Sequence, residues 1–293
     1  MDIIKNFTDE ELLLNTHNLI TYEDIIQDFE KLKNRRNLKP LSIIGNKVVH
    51  YFTTQERLNT KGSKGISYVE FVKQREQYLQ KPYIKRIIEK IENSEKSKST
   101  RILYDAYRVY FGSVCIFKPF VAKTLYEKYK PTSVLDPFMG WGGRLVGACA
   151  LNIPRYIGVD LNDNLKEPYE KMKSFLNQYS NTDIELYFCD CLTLDYTKIK
   201  YDFVFSSPPY YNIEIYNGTL KKSKQEWNEF YKKIFKIVYD NLQSGGYFCL
   251  NIPIPVYENV CIDLLGEANE TLPLTLCNRN NNYKEFIYVW KKV

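Results

Sequence analysis

Histidine is nearly missing from these 293 residues; His17 and His50 are the two present. The seven cysteines, at 115, 149, 189, 191, 249, 261 and 277, never fall into a CxxC pair. With ligand types this sparse and scattered, no metal site is expected, and reduced, mostly buried thiols are. No apolar run approaches the ~18 residues of a membrane span, so no membrane association is expected. The opening MDIIKNFTDE carries acids where a secretory leader would carry a basic patch and an apolar run. An intracellular setting is expected, the cytoplasm of a microbe or of a host cell infected by a virus or phage. Internal repeats and long low-complexity tracts are absent as well.

What is present is a foldable chain, 44% apolar and 15% aromatic, with an uneven charge. Residues 1–30 hold one Lys or Arg against eight Asp or Glu, and residues 31–110 hold 19 against seven. From 111 to 293 the count is 21 against 20, so the net +6 originates in one segment. An evenly soluble surface would not concentrate charge in this way. A positive field of this kind suits a polyanion, whose phosphates release counterions on contact. The plainer reading, amphipathic helices with solvated lysines, applies to the same residues.

The pattern predicts a helix over 19–37, a strand-like stretch LSIIGNKVVHYF at 41–52, and a loop NTKGSKG before residue 67. It then predicts a helix over 68–93 restarting near Pro82 and an exposed connection at 93–100. RILYDAYRVYFGSV at 101–114 places Tyr104 and Tyr107 on one helical face. From residue 130 short apolar runs alternate with amphipathic ones: strands at 132–136, 155–160, 184–190, 201–207 and 245–252, with helices to about 150, at 162–178 and at 224–242. Runs at 271–277 and 284–290 suit a terminal antiparallel pair. The fold class expected is α/β, a doubly wound and mostly parallel sheet behind a mainly helical basic segment. Two regions follow: 1–100, accessory and basic, and 101–293, catalytic.

In such a sheet ligands bind at the carboxyl ends of the strands. The first strand runs into DPFMGWGG, where glycines at 140, 142 and 143 allow a tight turn before a helix. The turn is not a GxxxxGK[ST] phosphate loop, because Arg144 and Leu145 follow. Asp160 ends the second strand, 24 residues after Asp136, where a carboxylate can accept from both hydroxyls of a ribose. Asp190 ends the third, in reach of an adenine amine, and Asp136 suits a cofactor with a positive centre. Each acid taken singly is as readily a turn or helix cap.

The fourth strand delivers SSPPYYN at 206–212. Prolines end a strand and aim the neighbouring carbonyls rigidly. The Ser207 hydroxyl and the Pro208 carbonyl are two acceptors able to hold the hydrogens of a nucleobase amine, whose lone pair is otherwise delocalised. Tyr210 can stack on the base. Alignment with an electrophilic methyl group would supply the rest of the barrier lowering, with neither a metal nor a covalent nucleophile.

DPFMGWGG, Asp160, FCD at 188–190 and SPPYYN together resemble the S-adenosylmethionine-dependent amino-methyltransferases of DNA. FKPFVAKTLYEKY at 117–129 is similar to that family's segment before the glycine loop, so the resemblance covers about 110–255. It implies that Phe117, Lys118 and Pro119 border the methionine part of the cofactor and that Asp136, Phe138 and Gly140 hold it. It further implies ribose at Asp160, adenine at Asp190, and the target base at Ser207, Pro208, Pro209 and Tyr210, flanked by Tyr211 and Asn212. The implied activity is methyl transfer to a flipped DNA base. Serine at the first position leans slightly to cytosine N4 over adenine N6. About 70 residues separate the two motifs, too few for a large recognition domain, so recognition falls to the basic segment. Its candidates are Arg35, Arg36, Lys61, Lys64, Arg75, Lys85 and Arg86. Trp141 departs from the family's usual small residue. An RNA amino-methyltransferase, a small-molecule methyltransferase and a non-catalytic binder are the alternatives.

Overall fold

Seven strands answer to the alternation read from the sequence. The computed structural model describes residues 7–14, 20–36, 42–62, 64–93, 101–112, 114–211, 222–274 and 285–293. In chain order the strands are β1 (Ser133–Asp136), β2 (Arg155–Asp160), β3 (Asp183–Phe188), β4 (Phe203–Ser206), β5 (Tyr247–Ile252), β6 (Glu270–Leu274) and β7 (Glu285–Lys291). They form one sheet in the order β3-β2-β1-β4-β5-β7-β6. Neighbours are parallel from β3 to β5, and β7 runs antiparallel between β5 and β6. The strand order reverses between β1 and β4, which opens a crevice beyond their carboxyl ends. This is the mixed, doubly wound sheet of the Rossmann-like methyltransferase fold, and a helical segment precedes it, as expected.

The helices before the sheet are α1 (Asp9–Leu14), α2 (Tyr22–Asn34), α3 (Asn46–Asn59), α4 (Tyr68–Lys73), α5 (Arg75–Leu79), α6 (Pro82–Glu92), α7 (Ile102–Phe111) and α8 (Pro119–Tyr129). Within the sheet region follow α9 (Gly143–Cys149), α10 (Lys166–Leu176) and α11 (Lys224–Asp240). The long helix expected over 68–93 is three. Ser67 and Glu70 form a capping box that starts α4, the chain breaks at Gln74, and Pro82 opens α6 at a position where its missing N–H costs nothing.

The strand-like reading of 41–52 is overturned. α3 begins at Asn46, and its backbone is capped from afar: Asp28 in α2 accepts from the Lys47 N–H at 2.9 Å. Val48, Val49 and Thr53 are fully buried, so the β-branched residues that suggested a strand are the packing face of a helix.

The chain divides into two compact units. One comprises 7–14, 20–22 and the described part of 53–115; the other comprises 23–36, 42–52, 116–211, 222–274 and 285–293. In the helical unit Leu103, Tyr104, Ala106, Tyr107 and Phe111 of α7 close a core with Tyr68, Phe71, Ile84 and Ile88, which is why residues 101–111 belong there. Tyr104 and Tyr107 do share a face, and it is the inner one. In the sheet unit α11 buries Trp227, Tyr231, Ile234, Phe235 and Val238 against the sheet, each side chain contributing about 1.5–3 kcal/mol of transfer free energy. Lys123 of α8 is also buried, and its ammonium donates to the Lys33 and Arg35 carbonyls at the end of α2. Among the described residues no helix is long and apolar enough to cross a membrane.

Candidate active site

The end of β1 is organised by a buried ion pair. Asp136 Oδ2 accepts from Arg144 Nε at 2.7 Å and from the Tyr156 hydroxyl at 2.7 Å, while Oδ1 accepts from Ser206 Oγ at 2.7 Å. The other arm of Arg144 donates to the Phe138 carbonyl, and its guanidinium lies 5.1 Å over the Phe117 ring. Burial pulls the guanidinium pKa down, and the adjacent Asp136 carboxylate more than reverses this, so Arg144 stays charged. Asp136 therefore spends its oxygens inside the protein, tying β1 to β2, β4 and α9.

The glycine turn is shaped by close approach. A Cβ on Gly143 would stand 1.8 Å from the Phe117 carbonyl, and Gly142 has φ +90°. Only glycine lets the segment before α8 cross the loop at this distance. From the other side the Tyr169 hydroxyl donates to the Met139 and Gly140 carbonyls at 3.1 and 3.0 Å. Trp141 is buried, 5% exposed.

Asp160 Oδ2 accepts from Gly140 N–H and Oδ1 from Asn162 N–H, both at 2.9 Å, which leaves each oxygen a further lone pair. Its carboxyl is pushed up to about 6 by burial, against the pull of these two N–H groups and with the Asp136 charge adding to the rise. Phe188 pairs with Asp160 in the sheet, so Asp190 emerges on the neighbouring strand. Asp190 is exposed and accepts from Leu192 N–H at 2.9 Å. Leu161 stands 60% exposed beside Asp160.

At the end of β4 the Pro209 carbonyl accepts from the Tyr231 hydroxyl at 2.5 Å, and that hydroxyl accepts from Tyr211 N–H at 3.0 Å. Tyr211 takes φ +50°, an uncommon conformation for a side-chain-bearing residue that this pair of bonds holds in place. No donor among the described residues reaches the Pro208 carbonyl. Ser207 Oγ lies 3.2 Å from the Tyr210 hydroxyl, and both approach Asn251 at the end of β5. β4 lies beside β1 in the sheet, so the SPPY corner and the glycine turn rise from adjacent strands.

The candidate residues Phe117, Lys118, Pro119, Asp136, Phe138, Gly140, Asp160, Asp190 and Ser207–Tyr211 thus all belong to the sheet unit. Asn212 lies outside the described residues. Of the basic candidates, Arg35 and Arg36 are exposed in the sheet unit, whereas Lys61, Lys64, Arg75, Lys85 and Arg86 belong to the helical unit. Lys61 pairs with Glu70 and Arg75 with Asp9, Lys64 sits over the Tyr110 ring, and Arg86 is exposed. No group of three His, Cys, Asp or Glu among the described residues is placed to hold a metal ion.

Sequence reasoning missed Arg144, Ser206, Tyr231 and Asn251. Two carried a signal: Arg144 is a charge inside an apolar helix, and Asn251 is a polar residue inside the run YFCLNI. Ser206 and Tyr231 carried none.

No protein-family model matches the sequence, and no curated protein matches it. Solved structures do show similarity. TrmN from Thermus thermophilus superposes with a TM-score of 0.43 at 15% identity, over 60% of this chain and 49% of its own. This chain therefore spans about half the length of that protein. An RNA methyltransferase from Salinibacter ruber, solved with S-adenosyl-L-homocysteine, gives 0.39 at 13% identity, over 61% and 93%. A geranyl diphosphate methyltransferase, solved with GPP and sinefungin, gives 0.43 at 12%, over 59% and 78%. Likeness at this level adds no argument about activity or substrate.

Proposed function

We propose that this chain transfers the methyl group of S-adenosylmethionine to the exocyclic amine of a nucleic-acid base, cytosine N4 or adenine N6. The observation that carries the reading is the pair of acceptors at the end of β4, Ser207 Oγ and the Pro208 carbonyl, which no donor among the described residues reaches, on the strand beside the one that launches the glycine turn.

The donor set suits the cofactor. Asp160 keeps one lone pair on each oxygen for the two ribose hydroxyls, and Asp190, exposed just past the end of β3, keeps lone pairs that an adenine amine can use. When bound, S-adenosylmethionine supplies an electrophilic methyl group on a sulfonium. Ser207 Oγ and the Pro208 carbonyl accept hydrogen bonds from the two amine N–H groups, which turns the nitrogen lone pair out of conjugation with the ring. As the N–CH3 bond forms the S–CH3 bond would break, leaving the thioether S-adenosylhomocysteine, and one amine proton would pass to water. Tyr231 holds the corner rigid through Pro209 and Tyr211, so little reorganisation is needed on the way to the transition state. Asp136 takes the role of a positioning residue for the turn, with Arg144 as its counter-charge.

The sequence alone put DNA before RNA. An extruded base offers the same amine in either polymer, and no residue of the β4 corner distinguishes the two. The polymer is therefore proposed as nucleic acid, with RNA and DNA as equal arms of the test. The helical unit, with Lys81 exposed just before α6 and Arg86 and Lys90 exposed on it, is proposed to contact its phosphates.

Labelled S-adenosylmethionine offered with unmodified duplex DNA and with structured RNA, followed by nucleoside mass spectrometry, tests the reading. Label on a base amine of either polymer, absent with Ser207→Ala while cofactor binding persists, is expected. Label on a ring carbon, on a ribose, or on no nucleic acid at all defeats it.

A further inference from the structure

β5 carries one polar side chain in its buried run, Asn251, 2% exposed. Its amide nitrogen donates to the Phe286 carbonyl on β7 at 3.1 Å. That bond sets the orientation of the amide: with Nδ2 toward a carbonyl, Oδ1 faces the end of β4. There Oδ1 lies 2.9 Å from the Tyr210 hydroxyl and 3.3 Å from Ser207 Oγ. The main-chain carbonyl of Asn251 adds a second acceptor, 3.0 Å from the Tyr210 hydroxyl.

Ser207 and Tyr210 bring one hydroxyl hydrogen each, and both Asn251 oxygens can only accept. The hydrogens are drawn to Asn251, directly or from Ser207 through the Tyr210 oxygen, and the lone pairs of Ser207 Oγ turn away from it. A serine with a free rotor presents a hydrogen or a lone pair as its partner requires. This one presents lone pairs.

We infer that Asn251 is a positioning residue that makes Ser207 a one-way acceptor, so that the site takes the amine edge of a base and refuses a carbonyl edge. The inference rests on the amino-transfer reading above and supplies its discrimination. Cytosine and adenine bring N–H groups where uracil and hypoxanthine bring a carbonyl oxygen. Against outward lone pairs a carbonyl finds no hydrogen and loses the one water gave it, a mismatch far more costly than a missing methylene. Asn251 itself does not touch the base.

The test uses the full chain and the nucleic acid that the wild type methylates. Asn251→Leu keeps the volume and removes the amide. It is expected to lower kcat by about 10- to 100-fold, the scale of losing one aligned polar group, with cofactor affinity unchanged. Binding of short oligonucleotides carrying the amine base or its keto counterpart (uracil for cytosine, hypoxanthine for adenine) gives a readout that mere propping of strands would not move. The wild type prefers the amine, and in Asn251→Leu the preference is expected to shrink at least about fivefold. In a Ser207→Asp background the acceptor has no hydrogen to steer, so Asn251→Leu is expected to change kcat by less than about threefold.

Asn251→Asp retains the accepting oxygen and gives up the bond to Phe286, so it is expected to keep more activity than Asn251→Leu at a lower Tm. Should Asn251→Leu fail to fold, Asn251→Ala, which also removes the amide, takes its place in the kcat comparison and in the oligonucleotide preference, with the same expected outcomes. An unchanged amine-to-keto preference, or activity in Asn251→Asp no better than in Asn251→Leu, overturns the inference and leaves the proposed function standing. No methyl transfer by the wild type to any base amine overturns both.

Discussion

Arg144 and Asp136 meet across 2.7 Å with both side chains sealed from water, one at 3% and the other at 0% exposure. Neither group reaches solvent, so neither is free to trade its partner for water. Asp136→Ala would leave the Arg144 charge buried and unmatched, which costs about 3–5 kcal/mol. Denaturant titration is expected to show that loss, and a Asp136→Leu, Arg144→Leu double variant is expected to lose less than Asp136→Ala alone. Lost activity in Asp136→Ala therefore reports on the glycine turn before it reports on a cofactor contact.

Gly143 and Gly140 separate two uses of glycine within one turn. Gly143→Ala drives a Cβ into the Phe117 carbonyl, where the obstacle is backbone and cannot yield cheaply. Cofactor binding, measured by calorimetry, is expected to be abolished. At Gly140 the nearest atom is 3.8 Å from an added Cβ and only the φ of +55° opposes it. Gly140→Ala is expected to cost about 1–2 kcal/mol and to retain binding.

Asp160 predicts opposite pH trends for stability and for binding. Below its ordinary value of 3.8 the carboxyl is protonated whether the chain is folded or not. Between there and about 6 the folded chain keeps a proton that the unfolded chain has released, so this group's contribution to stability falls as pH rises. Only the carboxylate accepts from a ribose diol with both oxygens, so cofactor affinity is expected to rise by about tenfold from pH 5 to pH 7. Thermal melts with and without cofactor across that range, repeated on Asp160→Asn, check both trends; the variant should show neither.

Tyr231 predicts a catalytic defect without a binding defect. Its hydroxyl serves the Pro209 carbonyl and Tyr211 N–H together. Tyr231→Phe keeps the stacking against Phe235 and removes only those bonds. A kcat lower by about 3- to 30-fold, with cofactor affinity unchanged, is the expected outcome in the methyl-transfer assay.

Lys81, Arg86 and Lys90 predict the salt dependence of nucleic-acid binding. They stand exposed on or beside α6 with no ion-pair partner among the described residues, whereas Lys61 and Arg75 are paired with acids. Replacing the three by Gln is expected to flatten the slope of log K against log salt by about 2–3, with Tm unchanged. An unchanged slope would remove α6 from the proposed interface.

The two ends of the site differed in how far they could be read in advance. The strands around Asp136, Asp160, Asp190 and Ser207 were legible because a parallel sheet buried on both faces needs apolar runs of about strand length, and polar residues mark where each run stops. The glycine turn was legible because left-handed backbone and close approach leave glycine little competition. α3 was misread because Val48 and Val49 favour a strand locally, while the cap on Lys47 comes from Asp28, 19 residues away. The packing of α7 was not legible for a similar reason: its place depends on where its aromatic face is buried, and that face meets residues 68–88.

By itself the sequence determined the fold class, the order of strands and turns, and the residues delivered to the carboxyl edge of the sheet, because those depend on local periodicity and turn chemistry. Only the tertiary structure decided what each polar atom does there. Asp136 is sealed against Arg144, and Ser207 Oγ lies 3.3 Å from the amide oxygen of an asparagine 44 residues away. Hydrogen bonds and buried charges are satisfied in space, between groups that have no periodic relation along the chain.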